Sequence, residues 1–286
     1  VKFLVFGQTG QVGAELAALE HVLCLDRTDA DLSDPEACAR TIQTQAPDAV
    51  INAAAYTNVD AVENDPALAH VVNAEAPARM ARECAGLSIP FISISTDYVF
   101  DGRGSRPYTP DDAPAPLNVY GSSKLSGERA ILQEGGCGTI LRTSWVFSSH
   151  GRNFVKTMLR LGQENQKLEI VSDQVGGPTP ARDIAMACYT MAGALIIQPQ
   201  KAGIYHFSGY PDTSWADLAR ETFSQAGLDC RVRDIQSQSY RTPATRPLNS
   251  RLDCTEIQEV FGIERPDWRM GLAEILSELE KDFPDE

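Results

Sequence analysis

The chain is poor in the residue patterns that build a disulfide framework, a zinc site or a nucleic-acid surface. Its seven cysteines, Cys24, Cys38, Cys84, Cys137, Cys188, Cys230 and Cys254, are scattered without a C-x-x-C pair. An odd, dispersed set fits reduced thiols, mostly core fillers. The four histidines are isolated along the sequence, and no metal is expected. Positive charge is also short: 25 Lys and Arg stand against 39 Asp and Glu, a net charge of −14. That balance opposes nonspecific attraction to nucleic acid or to an anionic membrane, so any bound phosphate must be held locally. No apolar run approaches the roughly 18 residues of a membrane span, and there is no basic-then-apolar leader. A cytoplasmic protein that binds neither nucleic acid nor membrane is expected.

What is present is an ordinary apolar fraction over 286 residues, enough for one large α/β domain or two smaller ones. The first half alternates. The apolar run "KFLVF" (2–6) leads through a glycine-rich turn to the helical pattern "GQVGAELAALE". The strand-like "HVLCL" (21–25) precedes a helical start with Asp34 as N-cap and Pro35 at the first helical position. "DAVINAA" (48–54), a helix-like 65–85, "IPFISIS" (89–95), a Pro/Gly/Asp-rich loop at 101–118, a helix over about 119–133 and a strand-like 138–147 continue the rhythm. Apolar strands separated by helices predict a parallel sheet covered on both faces, a Rossmann-type doubly wound α/β fold. Beyond about residue 150 the helical patterns 152–165, 181–197, 213–226, 253–262 and 268–281 are broken by short strand-like pieces at 168–171 and 203–207. The expected division is a dinucleotide-binding domain over 1–150 and a smaller α+β lobe over 151–286, mainly for substrate, with some elements free to return to the first domain.

"GQTGQVG" places Gly7, Gly10 and Gly13 directly after the first strand and at the opening of the first helix. Without side chains, backbone can approach a pyrophosphate while N–H groups at the helix start face it. Glycines that merely turn the chain and pack a helix would read the same way. Asp26, at the end of the second strand pattern, suits the adenosine ribose hydroxyls. Its neighbour Arg27 could accept a 2′-phosphate, so the cofactor is NADPH or NADH. Asp31 lies against the adenine or caps the next segment. "NAAAYT" (52–57) puts small residues, Ala53, Ala54 and Ala55, where a ligand crosses the sheet, or where strand and helix pack closely.

"YGSSK" sets Tyr120 and Lys124 one turn apart on one helical face, near a helix start. An ammonium and a cationic oxidised nicotinamide would both favour the ionised phenol, so the pair suits proton transfer coupled to hydride movement. Upstream, a strand ends in Ser95, Thr96 and Asp97, offering a hydroxyl to orient a carbonyl against the phenol. Trp145 offers a flat apolar face or an aromatic core plug. Arg246, between Pro243 and Pro247, suits a diphosphate through its planar fork or pairs with one of the many carboxylates.

A glycine-rich first turn, a strand-end Thr and YxxxK in this order resemble the extended short-chain dehydrogenase/reductase family, whose members mostly act on nucleotide sugars. A closer resemblance spans essentially the whole chain. "FGQTGQVG", "NAAAYTNVD", "STDYVFDG", "PLNVYGSSKLSGE", "RTSWVF", "NFVKTMLRL", "DQVGGPT" and "YRTPATRPLNSRLD" are similar to the dTDP-4-dehydrorhamnose reductase family. That resemblance implies reduction of the C4 ketone of dTDP-6-deoxy-L-lyxo-4-hexulose to dTDP-L-rhamnose. It implies Tyr120 as proton donor, Lys124 as a ligand of the nicotinamide ribose that lowers the phenol pKa, and Thr96 as a hydrogen-bonding modulator. Asp97 and Trp145 would contact the sugar. Gly10, Gln11, Val12, Asp26, Asp31, Leu32, Ala55, Tyr56 and Thr57 fall at the family's cofactor positions. Some members are dimers joined through acidic residues and Mg²⁺, but Arg182 stands where such a member carries a glutamate. No metal is therefore expected, and monomer and homodimer both stay open. An epimerase or 4,6-dehydratase is the rival enzyme, although Tyr98 occupies the position where dehydratases carry a Glu. The rival non-enzyme is a dinucleotide-binding regulatory subunit similar to that of methionine adenosyltransferase.

Overall fold

The computed structural model describes residues 1–282. Six strands form one parallel sheet: β1 (Phe3–Phe6), β2 (Val22–Leu25), β3 (Ala49–Asn52), β4 (Phe91–Thr96), β5 (Gly138–Thr143) and β6 (Ile204–His206), in spatial order β6-β5-β4-β3-β1-β2. The chain first steps from β1 to β2, then crosses back to β3 on the other side of β1. That reversal opens a crevice beyond the carboxyl ends of β1 and β3, where ligands of such sheets bind. β6 comes from the second half of the sequence and pairs with β5 in parallel, so the sheet is completed by chain on both sides of residue 150.

Side chains alternate across the sheet. Phe3, Val5, Ile51, Ile92 and Leu141 face one layer, shared with helices α1 (Gln11–Ala17) and α5 (Ala181–Ile197), while Leu4, Phe6, Val50, Phe91 and Ile140 face the other. The second layer is covered by α2 (Pro35–Gln45), α3 (Ala76–Leu87) and α4 (Val119–Gln133), through Cys38, Ile42, Met80, Cys84 and Ile131. Period-two alternation with both faces buried makes each strand read as a continuous apolar run. A smaller lobe gathers the helices Phe154–Glu164, Trp215–Gln225 and Trp268–Asp282 around Phe147, Leu218, Trp268 and Leu272. Beside it, Lys167–Val171 pairs in parallel with Arg231–Ile235. Among the described residues no helix is long and apolar enough to cross a membrane.

Two expectations about local structure are corrected. The helix-like 65–85 is two helices, Pro66–His70 and α3, joined by a wider π-type turn at Val71–Glu75. Asn73 in that turn is buried; its side chain accepts from Tyr56 N at 2.8 Å and donates to Tyr56 O at 3.2 Å and Ser123 Oγ at 3.0 Å. The bulge thus braces the loop after β3 against α4, and such turns recur at functional sites. The apolar run 138–147 is also interrupted. β5 ends at Thr143 and a short strand resumes at Val146–Phe147, paired with Thr179–Pro180. Trp145 lies between them at φ 49°, in the left-handed region where a bulky side chain is rare.

Candidate active site

A cavity of about 940 Å³ runs across the carboxyl ends of the strands. Its floor at one end is the turn after β1. Gly7 has φ 104°, and a Cβ there would lie 2.8 Å from Ala54 N. Only glycine lets β1 and the loop after β3 approach so closely, and the backbone is left bare toward the cavity. Gly10, Gln11 and Val12 continue this wall, and Ala53, Ala54, Ala55, Tyr56 and Thr57 line the opposite one. Gln11 also ties the wall to the second lobe: its Oε1 accepts from Ser148 Oγ at 3.1 Å and Asn153 Nδ2 at 2.9 Å.

Asp26, Arg27, Asp31 and Leu32 close the cavity's far end. Asp26 Oδ1 accepts from Thr28 N at 2.7 Å, Thr28 Oγ1 at 2.6 Å and Asp29 N at 3.1 Å. The Thr28 and Asp29 hydrogen bonds hold its carboxyl below the ordinary range, so it presents negative charge at neutral pH. Arg27 Nε is 2.9 Å from Asp31 Oδ2. A bare-backbone turn, an alanine wall opposite and a carboxylate at the end of β2 fit a dinucleotide lying across the crevice.

At the other end, Asn118 caps α4 by accepting from Gly121 N at 2.8 Å, and its Nδ2 donates to Thr245 O at 2.8 Å. Gly121 lets the helix start press against the loop after β4, since a Cβ there would lie 2.1 Å from Tyr98 O. Tyr120 and Lys124 consequently face the cavity beside Thr96 and Asp97. The Tyr120 ring packs edge-on to Tyr98 at 5.7 Å. Burial pushes its phenol well above the usual range, Thr96 opposes that rise and Asp97 adds to it. Burial pulls Lys124 down to about 8, with Glu128 opposing; its Nζ donates to Ile94 O at 2.7 Å. The phenol therefore keeps its proton at neutral pH, as a proton donor must. Lys124 is not among the groups that shift it, so the expected lowering of the phenol by Lys124 is not seen in the free protein.

Burial pushes Asp97 up to about 6, against the opposing effects of Ser250 and Thr96. Thr96 Oγ1 donates to Asp97 Oδ1 at 3.0 Å, whereas Oδ2 is buried with no hydrogen-bond partner. Because the folded value lies above the ordinary one, the folded protein holds this proton more tightly. The destabilisation from burying the charge is complete above about pH 6 and relieved below about pH 4. The stability of Asp97→Asn relative to the unsubstituted protein is therefore expected to improve by on the order of 3 kcal/mol between pH 4 and pH 7.5. Urea unfolding at both pH values checks this, and a pH-independent difference would show that the carboxylate is paired in solution.

A family model described as RmlD substrate binding domain matches residues 1–281. A dTDP-4-dehydrorhamnose reductase of Sinorhizobium fredii is 42% identical over 278 residues, covering 94% of each chain. This chain belongs to the dTDP-4-dehydrorhamnose reductase family. The Escherichia coli K12 reductase is 39% identical over 293 residues, covering 98% of each chain. Among solved structures, the Clostridium acetobutylicum dTDP-4-dehydrorhamnose reductase superposes with a TM-score of 0.91 at 33% identity, covering 98% of this chain and 100% of that one. The Bacillus anthracis reductase, solved in complex with NADP, gives 0.89 at 32% identity, covering 97% and 99%.

Within this family member, the cavity collects the expected positions from Gly7, Gly10, Gln11 and Val12 through Asp26, Asp31, Leu32 and the 53–57 loop to Thr96, Asp97, Tyr120, Lys124 and Trp145. Two expected residues do not line it. Gly13 sits behind the turn, where a Cβ would fall 1.9 Å from Gly7 O. It is a packing glycine that supports the wall. Arg246 turns onto Asp60, with Nη2 to Oδ2 at 2.8 Å and Nη1 to Oδ1 at 3.2 Å, so its fork is engaged by a carboxylate. Arg182 pairs with Glu274 at 3.3 Å. Trp145 serves both of its readings: it lines the cavity and stacks on Trp215 with ring centroids 3.6 Å apart. Trp215, itself held by Nε1 donating to Gln174 Oε1 at 3.1 Å, was missed by sequence reasoning, as was Asn73. Trp215 lies 70 positions from its partner, and no local pattern in the sequence links the two.

Proposed function

We propose that this cavity is where the C4 ketone of dTDP-4-dehydro-6-deoxy-L-mannose, also written dTDP-6-deoxy-L-lyxo-4-hexulose, is reduced to dTDP-L-rhamnose with NADPH or NADH as cofactor. The observation that carries the reading is the shared cavity: Tyr120 and Lys124 stand at one end and the bare-backbone turn at Gly7 and Gly10 at the other. The cofactor, when bound, supplies the hydride that reaches C4. The chain's own groups do the rest. Tyr120 gives its proton to the C4 oxygen, so that the carbonyl gains one hydride and one proton. Lys124 holds the nicotinamide ribose and favours the phenolate left behind. Thr96 hydrogen-bonds at the phenol, the unpartnered Oδ2 of Asp97 accepts from a sugar hydroxyl, and Trp145 on its Trp215 backing packs against the deoxysugar's C–H surface. Asp26 takes the adenosine ribose hydroxyls, with Arg27 available to a 2′-phosphate once it leaves Asp31. Arg246 is available to the substrate diphosphate only by giving up Asp60.

The test is loss of reduced-nicotinamide absorbance with purified protein, each cofactor in turn, and the ketosugar generated in place by the preceding dehydratase and epimerase. One cofactor oxidised per dTDP-L-rhamnose formed is the expected result. An epimerase or dehydratase would return its cofactor unchanged, and cofactor binding without turnover would favour a regulatory subunit.

A further inference from the structure

Behind the proposed proton-transfer pair lies a buried ionic chain that hydride and proton movement do not themselves use. Glu128, one turn beyond Lys124 on α4, receives both arms of Arg142 from β5, Nε to Oε1 at 3.0 Å and Nη2 to Oε2 at 2.7 Å. The same Oε1 accepts from Ser95 Oγ, at the end of β4, at 2.5 Å. Arg142 Nη1 is 3.3 Å from Nε2 of His206 on β6, whose Nδ1 lies 2.9 Å from Tyr108 O. Burial and then Arg142 push His206 down to about 3. Its neutral ring therefore accepts from Arg142 and donates to the carbonyl. Glu128, Arg142 and His206 are 3%, 1% and 0% exposed.

Such a pair rarely stabilises a fold more than apolar residues of the same volume would, because both ions must leave water. Its placement is informative instead. Lys124 makes no direct ion pair among the described residues, and its Nζ is spent on the neutral Ile94 carbonyl. Ser95 meanwhile adjoins Thr96, so the carboxylate that lies nearest along the helix also grips the strand end that carries the modulating hydroxyl. We propose that Glu128, clamped by Arg142 and Ser95, is a positioning residue that supplies the counter-charge for Lys124 and locks the Tyr120 helix to the Thr96 strand.

The groups facing this chain are Tyr120 and Lys124 from α4, Asp97 after β4, Arg142 from β5 and His206 from β6, with Asp112 and Asp253 acting on His206. Removing the Glu128 charge leaves Arg142 as a bare cation, and the Tyr120–Lys124 pair should release its first proton more easily, whichever member loses it. The inference rests on the reductase reading for its kinetic consequence, but the proton itself can be followed without turnover. The chain has six lysines, so NMR of side-chain-labelled lysine, with Lys124 assigned through Lys124→Arg, reads its titration directly. In Glu128→Gln the Lys124 transition is expected about one pH unit lower, and the alkaline limb of kcat/KM is expected to move with it. Glu128→Gln/Arg142→Met removes both charges, guards against a folding failure of the single variant, and should bring the transition back toward its original pH. An unmoved Lys124 transition, or activity that falls equally at all pH values, would overturn the proposal. Absent turnover with a shifted transition would fail the reductase reading alone.

Discussion

Tyr120→Phe is expected to lower kcat by about three orders of magnitude while leaving the dissociation constant for NADPH within about twofold. The substitution removes one oxygen. The ring keeps its edge-on contact with Tyr98, and the Asn118 cap and Gly121 approach that set the start of α4 do not involve the hydroxyl. What disappears is a proton held in a desolvated setting, where burial keeps the phenol protonated well above neutral pH. Water entering the cavity could reach the C4 oxygen, but it lacks the fixed orientation of the phenol. Steady-state turnover and a fluorescence titration with NADPH, made on the same preparation, separate the two quantities. Turnover within tenfold of the unsubstituted enzyme would remove Tyr120 from the proton path.

The second large effect is expected at a glycine that touches no ligand. In a free helix Gly→Ala would gain up to about 1 kcal/mol. At Gly13, however, the added methyl would sit 1.9 Å from Gly7 O and 2.6 Å from Gly7 C, both backbone atoms. Neither can rotate aside, so α1 must move away from the turn, at a cost of about 1–3 kcal/mol. The same displacement pulls the turn out of register with the Ala53–Ala54 wall. NADPH affinity in Gly13→Ala is therefore expected to fall on the order of a hundredfold, with a Tm several degrees lower. Gly86→Ala is the control, because at this exposed position near the end of α3 nothing lies within 4 Å of the added Cβ; it should match or exceed the unsubstituted protein. Unchanged cofactor affinity in Gly13→Ala would show that the turn tolerates displacement.

The contrast between these two residues shows which parts of the site could be seen in the chain alone. Both lie in motifs whose spacing is local: GQTGQVG must be a turn after a strand, and YGSSK must put phenol and ammonium on one helical face. Their neighbours in sequence suffice to define them. Helices α4 and α5 begin and end at the residues their apolar patterns indicate, 119–133 and 181–197. Gly13 was legible as a glycine but not in its role, since whether it meets ligand or backbone depends on where Gly7 turns. Arg246 was similarly open between phosphate and carboxylate until Asp60, far upstream, was seen to take it.

By itself, then, the sequence determined the alternating strands and helices, the glycine turn after β1, the paired Tyr120 and Lys124, and through its motifs the family. Each of these depends on residues within a turn or a strand of one another, where periodicity and backbone preference act directly. Tertiary structure alone decided that β6 completes the sheet, that Asn73 braces the 53–57 loop, that Trp215 backs Trp145, and that Glu128, Arg142 and His206 form one buried chain. Those partners lie between 14 and 70 positions apart. Side chains so separated meet only when sheet order and crossover packing bring their elements together, and no local preference of either residue records that meeting.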